Sequence, residues 1–126
     1  MAVLSVPEAN REAYIEAAEF MAQWSIDHGA LEVMEAWEAN VPEGKTTDMR
    51  KAVAAPEGEK IVAGWVIWPD KETLEMAKEA MGRGEGFEDY DHSDPPFDGS
   101  RLIFGEFEPL MVKRSTALTD NERGNG

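Results

Sequence analysis

The pattern of apolar and polar residues along the first third of the chain predicts a strand followed by a helix. Residues 3–6 read as a short strand that is stopped by Pro7. Asn10 is placed to cap the helix that follows, with Glu12 in its first turn, and Gly29 is placed to end it in a left-handed conformation. Apolar positions recur at three- and four-residue steps and predict one buried stripe on this helix: Tyr14, Ala17, Met21, Trp24 and His28.

The middle of the chain predicts three extended segments. Residues 30–39 read as a partly exposed strand whose outward positions include Glu32 and Glu38. Residues 49–54 are expected to be extended as well. Residues 61–68 form the strongest predicted strand, and because they are apolar on both faces, both faces are expected to be covered.

The last part of the chain predicts a second helix and a final strand. Asp70 is expected to cap a helix that runs to about Met81, with Leu74 and Ala77 also facing inward and glycines 82, 84 and 86 at its end. An acidic loop follows, and residues 101–112 are again strand-like, with Gly105 as a candidate bulge. We therefore expect one domain over residues 1–114 and a polar, disordered tail over residues 115–126.

The order strand, helix, strand, strand, helix, strand is typical of an α+β protein with the ferredoxin-like βαββαβ arrangement. In that arrangement both helices cover one face of an antiparallel sheet, and the other face is bare. Not all of the large aromatic side chains can fit beneath two helices: Trp65, Trp68, Phe104 and Phe107. The resulting apolar face predicts a protein partner, and we expect a homodimer that packs through its sheet faces.

Four stretches of sequence resemble the YbaA-like family of uncharacterised bacterial proteins, in order from about Ala2 to Val112. They are residues 6–14 (VPEANREAY), 27–32 (DHGALE), 41–45 (VPEGK) and 96–105 (PFDGSRLIFG). The resemblance implies the dimeric α/β-barrel fold and no established activity. The chain begins several residues later than these relatives, which predicts a shortened first strand.

Charge excludes several classes of partner. The 126 residues include 12 Lys and Arg against 26 Asp and Glu, which gives a net charge of −14, and no basic patch is visible. Nucleic acid and anionic membranes are therefore not expected as partners. Some members of the similar family carry a label that ties them to signal recognition particle RNA, which this charge does not support, and we interpret it as a mislabel. The N-terminus lacks a secretory signal and no apolar run could span a membrane, so a cytoplasmic location is expected.

Candidate chemistry is sparse, because the chain has no Cys and only two His. His28 could act as a base or contact a ligand, or could simply cap the first helix. The acidic residues around Asp89 fit no calcium-binding motif, because Asp94 stands where an EF-hand requires Gly. We predict no metal site and no resident cofactor. Asp98 and Arg101 have the spacing of a turn stabilised by an Asp side chain, with a role for Arg101 in anchoring a ligand as the alternative.

The sequence leaves three functions open. The first is a dimeric protein that binds a small apolar molecule in a cleft between helices and sheet, with pocket candidates Tyr14, Trp24, His28, Trp65 and Arg101. The second is a cofactor-independent monooxygenase or haem-degrading enzyme, which would need an ordered polar group in that pocket. The third is a structural or interaction protein whose pocket is filled by its own side chains. Whether the protein is an enzyme is left open.

Overall fold

The protein is an α+β fold built on one antiparallel sheet of four strands, as seen in a computed structural model that describes residues 1–91 and 93–116. The strands are β1 (Ala2–Pro7), β2 (Glu32–Trp37), β3 (Glu59–Ile67) and β4 (Ile103–Phe104), and their order in the sheet is β2-β3-β1-β4. The long central pair is β1 with β3, in which Leu4 lies opposite Val62. β2 pairs with the other edge of β3 so that Glu35 lies opposite Gly64.

Strand alternation and register divide the sheet into two faces. The face that packs on the first helix, called the α1 face below, carries Leu4, Val6, Val33, Glu35, Trp37, Val62 and Gly64. The opposite face, called the far face, carries Val3, Ser5, Met34, Ala36, Ile61, Ala63, Trp65, Ile67 and Ile103.

Three α-helices accompany the sheet: α1 (Arg11–Asp27), α2 (Met49–Ala52) and α3 (Lys71–Gly82). α1 ends as predicted, because Gly29 adopts a φ of +106°, which only Gly tolerates easily. A Cβ at Gly29 would also lie 2.5 Å from the Thr73 Cγ2 atom, so this position lets α3 pack close to α1. α3 begins as predicted, because the Asp70 carboxylate accepts a hydrogen bond of 2.7 Å from the Thr73 N–H.

Two clusters of buried side chains hold these elements together. One lies between α1 and the sheet and consists of Leu4, Val6, Tyr14 and Val62, with Ala18, Trp37, Phe97 and Leu102 packed around it. The other joins α1 to α3 and contains Trp24, Ala77 and Ala80, with Trp68 and Phe87 at its edge. Of the apolar stripe predicted for α1, these clusters bury Tyr14 and Trp24.

Several predictions from the sequence are wrong in detail. Residues 49–52 form the short helix α2 instead of an extended segment, because the Asp48 side chain accepts a hydrogen bond from the Lys51 N–H and starts a helical turn. Asn10 makes no capping hydrogen bond, since a 3-10 turn over Glu8–Asn10 precedes α1 and the Asn10 side chain donates instead to the Pro96 carbonyl. On α3, Ala80 rather than Met81 is buried.

The final strand is also much shorter than predicted. Residues 101–112 were expected to be strand-like throughout, but β4 contains only Ile103 and Phe104, and within the described chain it pairs with β1 alone. The apolar side chains that follow are exposed, with Phe107 at 72% and Met111 at 75%. The predicted polar tail lies outside the described residues from residue 117 onward, as does His92.

One end of the far face is covered by α2. The Arg50 guanidinium donates to the Glu38 carboxylate at 2.6 Å and to the Glu59 carbonyl at 2.9 Å. The Ile61 N–H also donates to Glu38, and this backbone hydrogen bond, helped by Arg50, lowers the pKa of Glu38. Glu38, which was predicted to point outward, is therefore held in an ion pair with Arg50.

No helix in the described part of the chain is both long enough and apolar enough to cross a membrane.

Candidate functional site in the cleft between α1 and β2

The candidate site is an open cleft of about 390 Å³ between α1 and the edge strand β2. One wall is a stripe of α1 at helical spacing, and the other is the edge strand β2 with part of β3. The lining residues are Arg11, Tyr14, Ile15, Ala18, Glu19, Ala22, Val33, Glu35, Ala36, Trp37 and Val62. A mainly apolar lining with a few polar groups is typical of small-molecule sites.

A tyrosine and a glutamate form the central polar contact of the cleft. The Tyr14 hydroxyl donates to the Glu35 Oε2 atom at 3.1 Å. The Tyr14 ring is buried in the core beneath the cleft and meets Phe97 edge to face, with ring centroids 5.8 Å apart. The hydroxyl is therefore held in place by packing, and it fixes one oxygen of the carboxylate.

The surroundings raise the pKa of both groups. Burial raises the pKa of Tyr14 well above its usual value, and the negative charge of Glu35 and its hydrogen bond act in the same direction. The cleft is open, yet partial loss of solvent around the carboxyl group raises the pKa of Glu35, while the hydrogen bond from Tyr14 opposes this effect. At neutral pH Tyr14 is consequently a hydrogen-bond donor, and the Glu35 carboxylate is less well solvated than an ordinary surface carboxylate.

A glycine makes room for this carboxylate. Gly64 lies opposite Glu35, and a Cβ atom there would be 2.5 Å from the Glu35 Oε2 atom and 2.8 Å from the Met34 carbonyl oxygen. Both separations are too short for ordinary contact, and the second involves the backbone. The absence of a side chain at Gly64, in the middle of β3, thus leaves room for the Glu35 carboxylate to lie over this strand.

An arginine and a tryptophan lie at the same cleft. The Arg11 guanidinium carbon is 5.4 Å from the centroid of the Trp37 ring, and Arg11 also pairs with Glu12 at 3.4 Å. Glu19, one helical turn beyond Ile15, lies on the α1 wall and is the second acidic residue of the cleft after Glu35. The site therefore combines two acidic groups, one basic group that is already engaged, and an aromatic ring that attracts cations.

Of the pocket candidates predicted from the sequence, Trp24 and His28 lie together but outside this cleft. Their rings are stacked with centroids 3.9 Å apart, and the Trp24 Nε1–H donates to the Glu85 carbonyl at 2.8 Å. The His28 Nδ1 atom is 2.7 Å from the Trp24 carbonyl oxygen, so that nitrogen carries the proton. His28 therefore caps the end of α1, which is one of the two interpretations that the sequence left open.

Trp65 and Arg101 are separated from Tyr14 as well. Trp65 lies on the far face, where its Nε1–H donates to Glu32 at 3.0 Å. Arg101 donates to both oxygens of Glu59 at 3.0 Å. The Asp98 carboxylate accepts hydrogen bonds from Ser100, which confirms the predicted Asp turn. The five candidates thus do not share one site, and only Tyr14 lines the cleft.

Glu35 was missed by the sequence analysis, although a signal for it exists. If Glu32 and Glu38 point outward from one strand, Glu35 has the opposite parity and must point toward the helix side of the sheet. A charged residue at an inward position is uncommon unless it has a partner or a function. In the described residues, no group of three or more His, Asp or Glu side chains could hold a metal ion.

Comparison with known proteins places the chain in a family. The model of the family described as "Protein of unknown function (DUF1428)" matches residues 1–99. The "Uncharacterized protein YbaA" of Escherichia coli strain K12 is 38% identical over 109 residues, which cover 86% of this chain and 92% of that protein. The proteins of the same name from Escherichia coli O157:H7 and Shigella flexneri match to the same extent. The resemblance seen in the sequence is thereby confirmed: this chain belongs to the DUF1428 family, whose function is unknown.

Proposed function

We propose that the protein binds a small, largely apolar molecule in the cleft between α1 and β2, with Tyr14 and Glu35 as its polar anchor. The observation that carries the proposal is the 3.1 Å hydrogen bond between these two side chains in a cleft whose lining is mainly apolar. A buried Tyr that orients a partly desolvated carboxylate supplies direction, while the apolar lining supplies contact area. The cleft volume of about 390 Å³ lies within the range of about 300–1,000 Å³ that is usual for small-molecule pockets.

A binding experiment with a filled cleft tests this proposal. We expect 2-phenylethanol to bind the wild-type protein with a Kd on the order of 1 mM and to raise the Tm by about 4 °C at ten times that concentration. Ala22→Phe places a ring in the cleft and should abolish the shift. Ala13→Phe makes the same change at an exposed position of α1 outside the cleft and should keep it.

Either of two results would count against the proposal. One is that 2-phenylethanol, indole and 2-naphthol all leave the wild-type Tm unchanged at their solubility limits. The other is that the Ala22→Phe variant, folded by circular dichroism, binds as well as the wild type. If Ala22→Phe does not fold, Val33→Phe fills the same cleft from the β2 side and serves in its place.

The oxygenase alternative stays a prediction of the sequence, and so does the cytoplasmic location. The Tyr14–Glu35 pair supplies the ordered polar group that such an enzyme would need. Oxygen consumption with a quinol, or a Soret band on adding haem, would distinguish an enzyme from a binding protein.

We further propose that two chains associate into a dimer with ferredoxin-like subunits through the far face and the segment 104–112. The strand order β2-β3-β1-β4 supports the subunit architecture. Exposed apolar side chains that continue from the far face onto this segment support the association: Met34, Ile67, Ile103, Phe107, Leu110, Met111 and Val112. A chain of net charge −14 repels its own copy, so association needs an apolar face of this kind.

Sedimentation equilibrium tests the dimer. We expect a mass of twice the 14.0 kDa of one chain for the wild type. Met34→Glu puts a charge on the far face and should give monomers, whereas Met76→Glu, at an exposed position of α3, should leave the dimer intact. A wild-type protein that sediments as a monomer at 100 µM (about 1.4 mg/ml), or a Met34→Glu variant that stays dimeric, would overturn this part of the proposal.

A further inference from the structure

The cleft holds a carboxylate, that of Glu35, which has no positively charged partner among the described residues. Only the Oε2 atom of Glu35 forms a hydrogen bond within the described chain, and its donor is the neutral Tyr14 hydroxyl. No ion pair to Glu35 is found among the described residues. Glu35 is an exposed residue at the open cleft, so its carboxylate is accessible to a positively charged ligand.

The basic residue that lines the cleft does not pair with Glu35. Arg11 lines the cleft, but its guanidinium is paired with Glu12 and lies over the Trp37 ring. The Glu19 carboxylate lines the same cleft, so the lining holds two acidic groups against one basic group. The cleft therefore has a surplus of negative charge, in a protein whose net charge is −14.

The aromatic lining favours a cation as well. The Arg11 guanidinium carbon lies 5.4 Å from the centroid of the Trp37 ring, so a cation is already accommodated against this aromatic residue of the cleft. Aromatic rings beside a carboxylate are a recurrent arrangement for recognising organic ammonium groups. The remaining lining, including Ile15, Ala18 and Val33, offers contact only to hydrocarbon.

We propose that the ligand of this cleft is a small organic amine in its ammonium form, with a hydrocarbon body of about one aromatic ring. The ammonium group would donate hydrogen bonds to Glu35, whose second oxygen Oε1 is available, while the body would lie between Ile15 and Val33. This inference rests on the proposed binding function and names its ligand class.

Three probes that share a phenylethyl body and differ in the charge of their polar group test the ligand class: 2-phenylethylamine, 2-phenylethanol and 3-phenylpropionate. We expect the amine to bind the wild-type protein at least tenfold more tightly than the alcohol, and the carboxylate to bind more weakly than either, by isothermal titration calorimetry at pH 7.5. Glu35→Gln should remove the preference, so that the amine binds this variant no more tightly than the alcohol does. Glu16→Gln, the same change at an exposed position of α1 outside the cleft, should keep it.

The pH dependence gives a second measure. Tyr14, Arg11 and Glu19 are the other ionisable groups among the described residues that line the cleft, and Tyr14, whose pKa is raised by burial, keeps its proton from pH 5 to 8. Protonation of Glu35 would remove the charge that holds the ammonium group. The affinity for the amine should therefore fall as the pH is lowered toward 5, and the affinity for the alcohol should not.

The outcomes separate this inference from the proposed function. If the alcohol binds in the cleft and the amine binds no better, or if Glu35→Gln leaves the tenfold preference unchanged, the ligand class is wrong and the binding function stands. If none of the three probes binds the wild-type protein, and the alcohol also fails in the Tm experiment, the binding function itself is wrong.

Discussion

Replacing Trp24 by Ala is expected to lower the free energy of unfolding by about 4 kcal/mol, which is typical of removing a large aromatic side chain from a packed core. Trp24 is 5% exposed and joins α1 to Ala77 and Ala80 of α3. It also stacks on His28 and donates to the Glu85 carbonyl, which holds the loop after α3 against α1. The truncation therefore removes packing, ring stacking and a hydrogen bond together.

Urea unfolding followed by circular dichroism measures this loss, at one protein concentration because association adds to apparent stability. Trp24→Phe keeps a ring for His28 and loses only part of the packing and the hydrogen bond, so its loss should be about 1–2 kcal/mol. A loss below about 1 kcal/mol in Trp24→Ala would mean that this cluster does not join the two helices.

The second large effect is expected at Arg101, whose replacement by Met should cost about 3 kcal/mol. Glu59 is largely buried on the sheet and receives hydrogen bonds from Arg101 at 3.0 Å and from the Ser5 hydroxyl at 2.7 Å. Without Arg101 the carboxylate would keep its burial and lose its opposite charge. Breaking such a pair is costly because one charge is left uncompensated.

Two further variants separate this explanation from general damage. Arg83→Met removes the exposed pair of Arg83 with Glu85 and should change stability by less than about 0.5 kcal/mol. The double variant Arg101→Met with Glu59→Met replaces both charges by apolar groups and should recover much of the loss. A double variant that is less stable than Arg101→Met would contradict the uncompensated charge as the cause.

Local patterns in the sequence predicted those elements whose cause is local. The apolar run at residues 61–68, the left-handed Gly29 and the Asp70 cap each act within a few residues, and β3, the end of α1 and the start of α3 follow from them. α2 was missed because four residues are too few to show a helical period. Its only local signal is the capping residue Asp48, which directly precedes it. The final strand was overestimated because apolar residues at 105–112 resemble a strand whether or not a neighbour is present.

The candidate site depends on contacts between distant elements, and this limits what the sequence could predict. A cleft between helix and sheet was expected, and Tyr14 was placed in it. Trp65 was grouped with Tyr14 because the sequence does not show on which face of the sheet each strand residue lies. The register of β2 with β3 places Trp65 on the far face, whereas Tyr14 packs against the α1 face. Glu35 could have been found by its parity, but its contact with Tyr14 also requires the open space at Gly64 on the neighbouring strand.

The most direct test of the central claim uses the four indole N–H groups as reporters in ¹H–¹⁵N NMR spectra. Trp37 lines the cleft, whereas Trp24 and Trp68 belong to the cluster between α1 and α3, and Trp65 lies on the far face. On titration with 2-phenylethylamine or 2-phenylethanol, we expect the Trp37 signal, assigned with a Trp37→Phe variant, to shift in proportion to binding. We expect the other three signals to stay in place. A titration that moves the Trp65 or Trp24 signal and leaves Trp37 unchanged would contradict the cleft between α1 and β2 as the binding site.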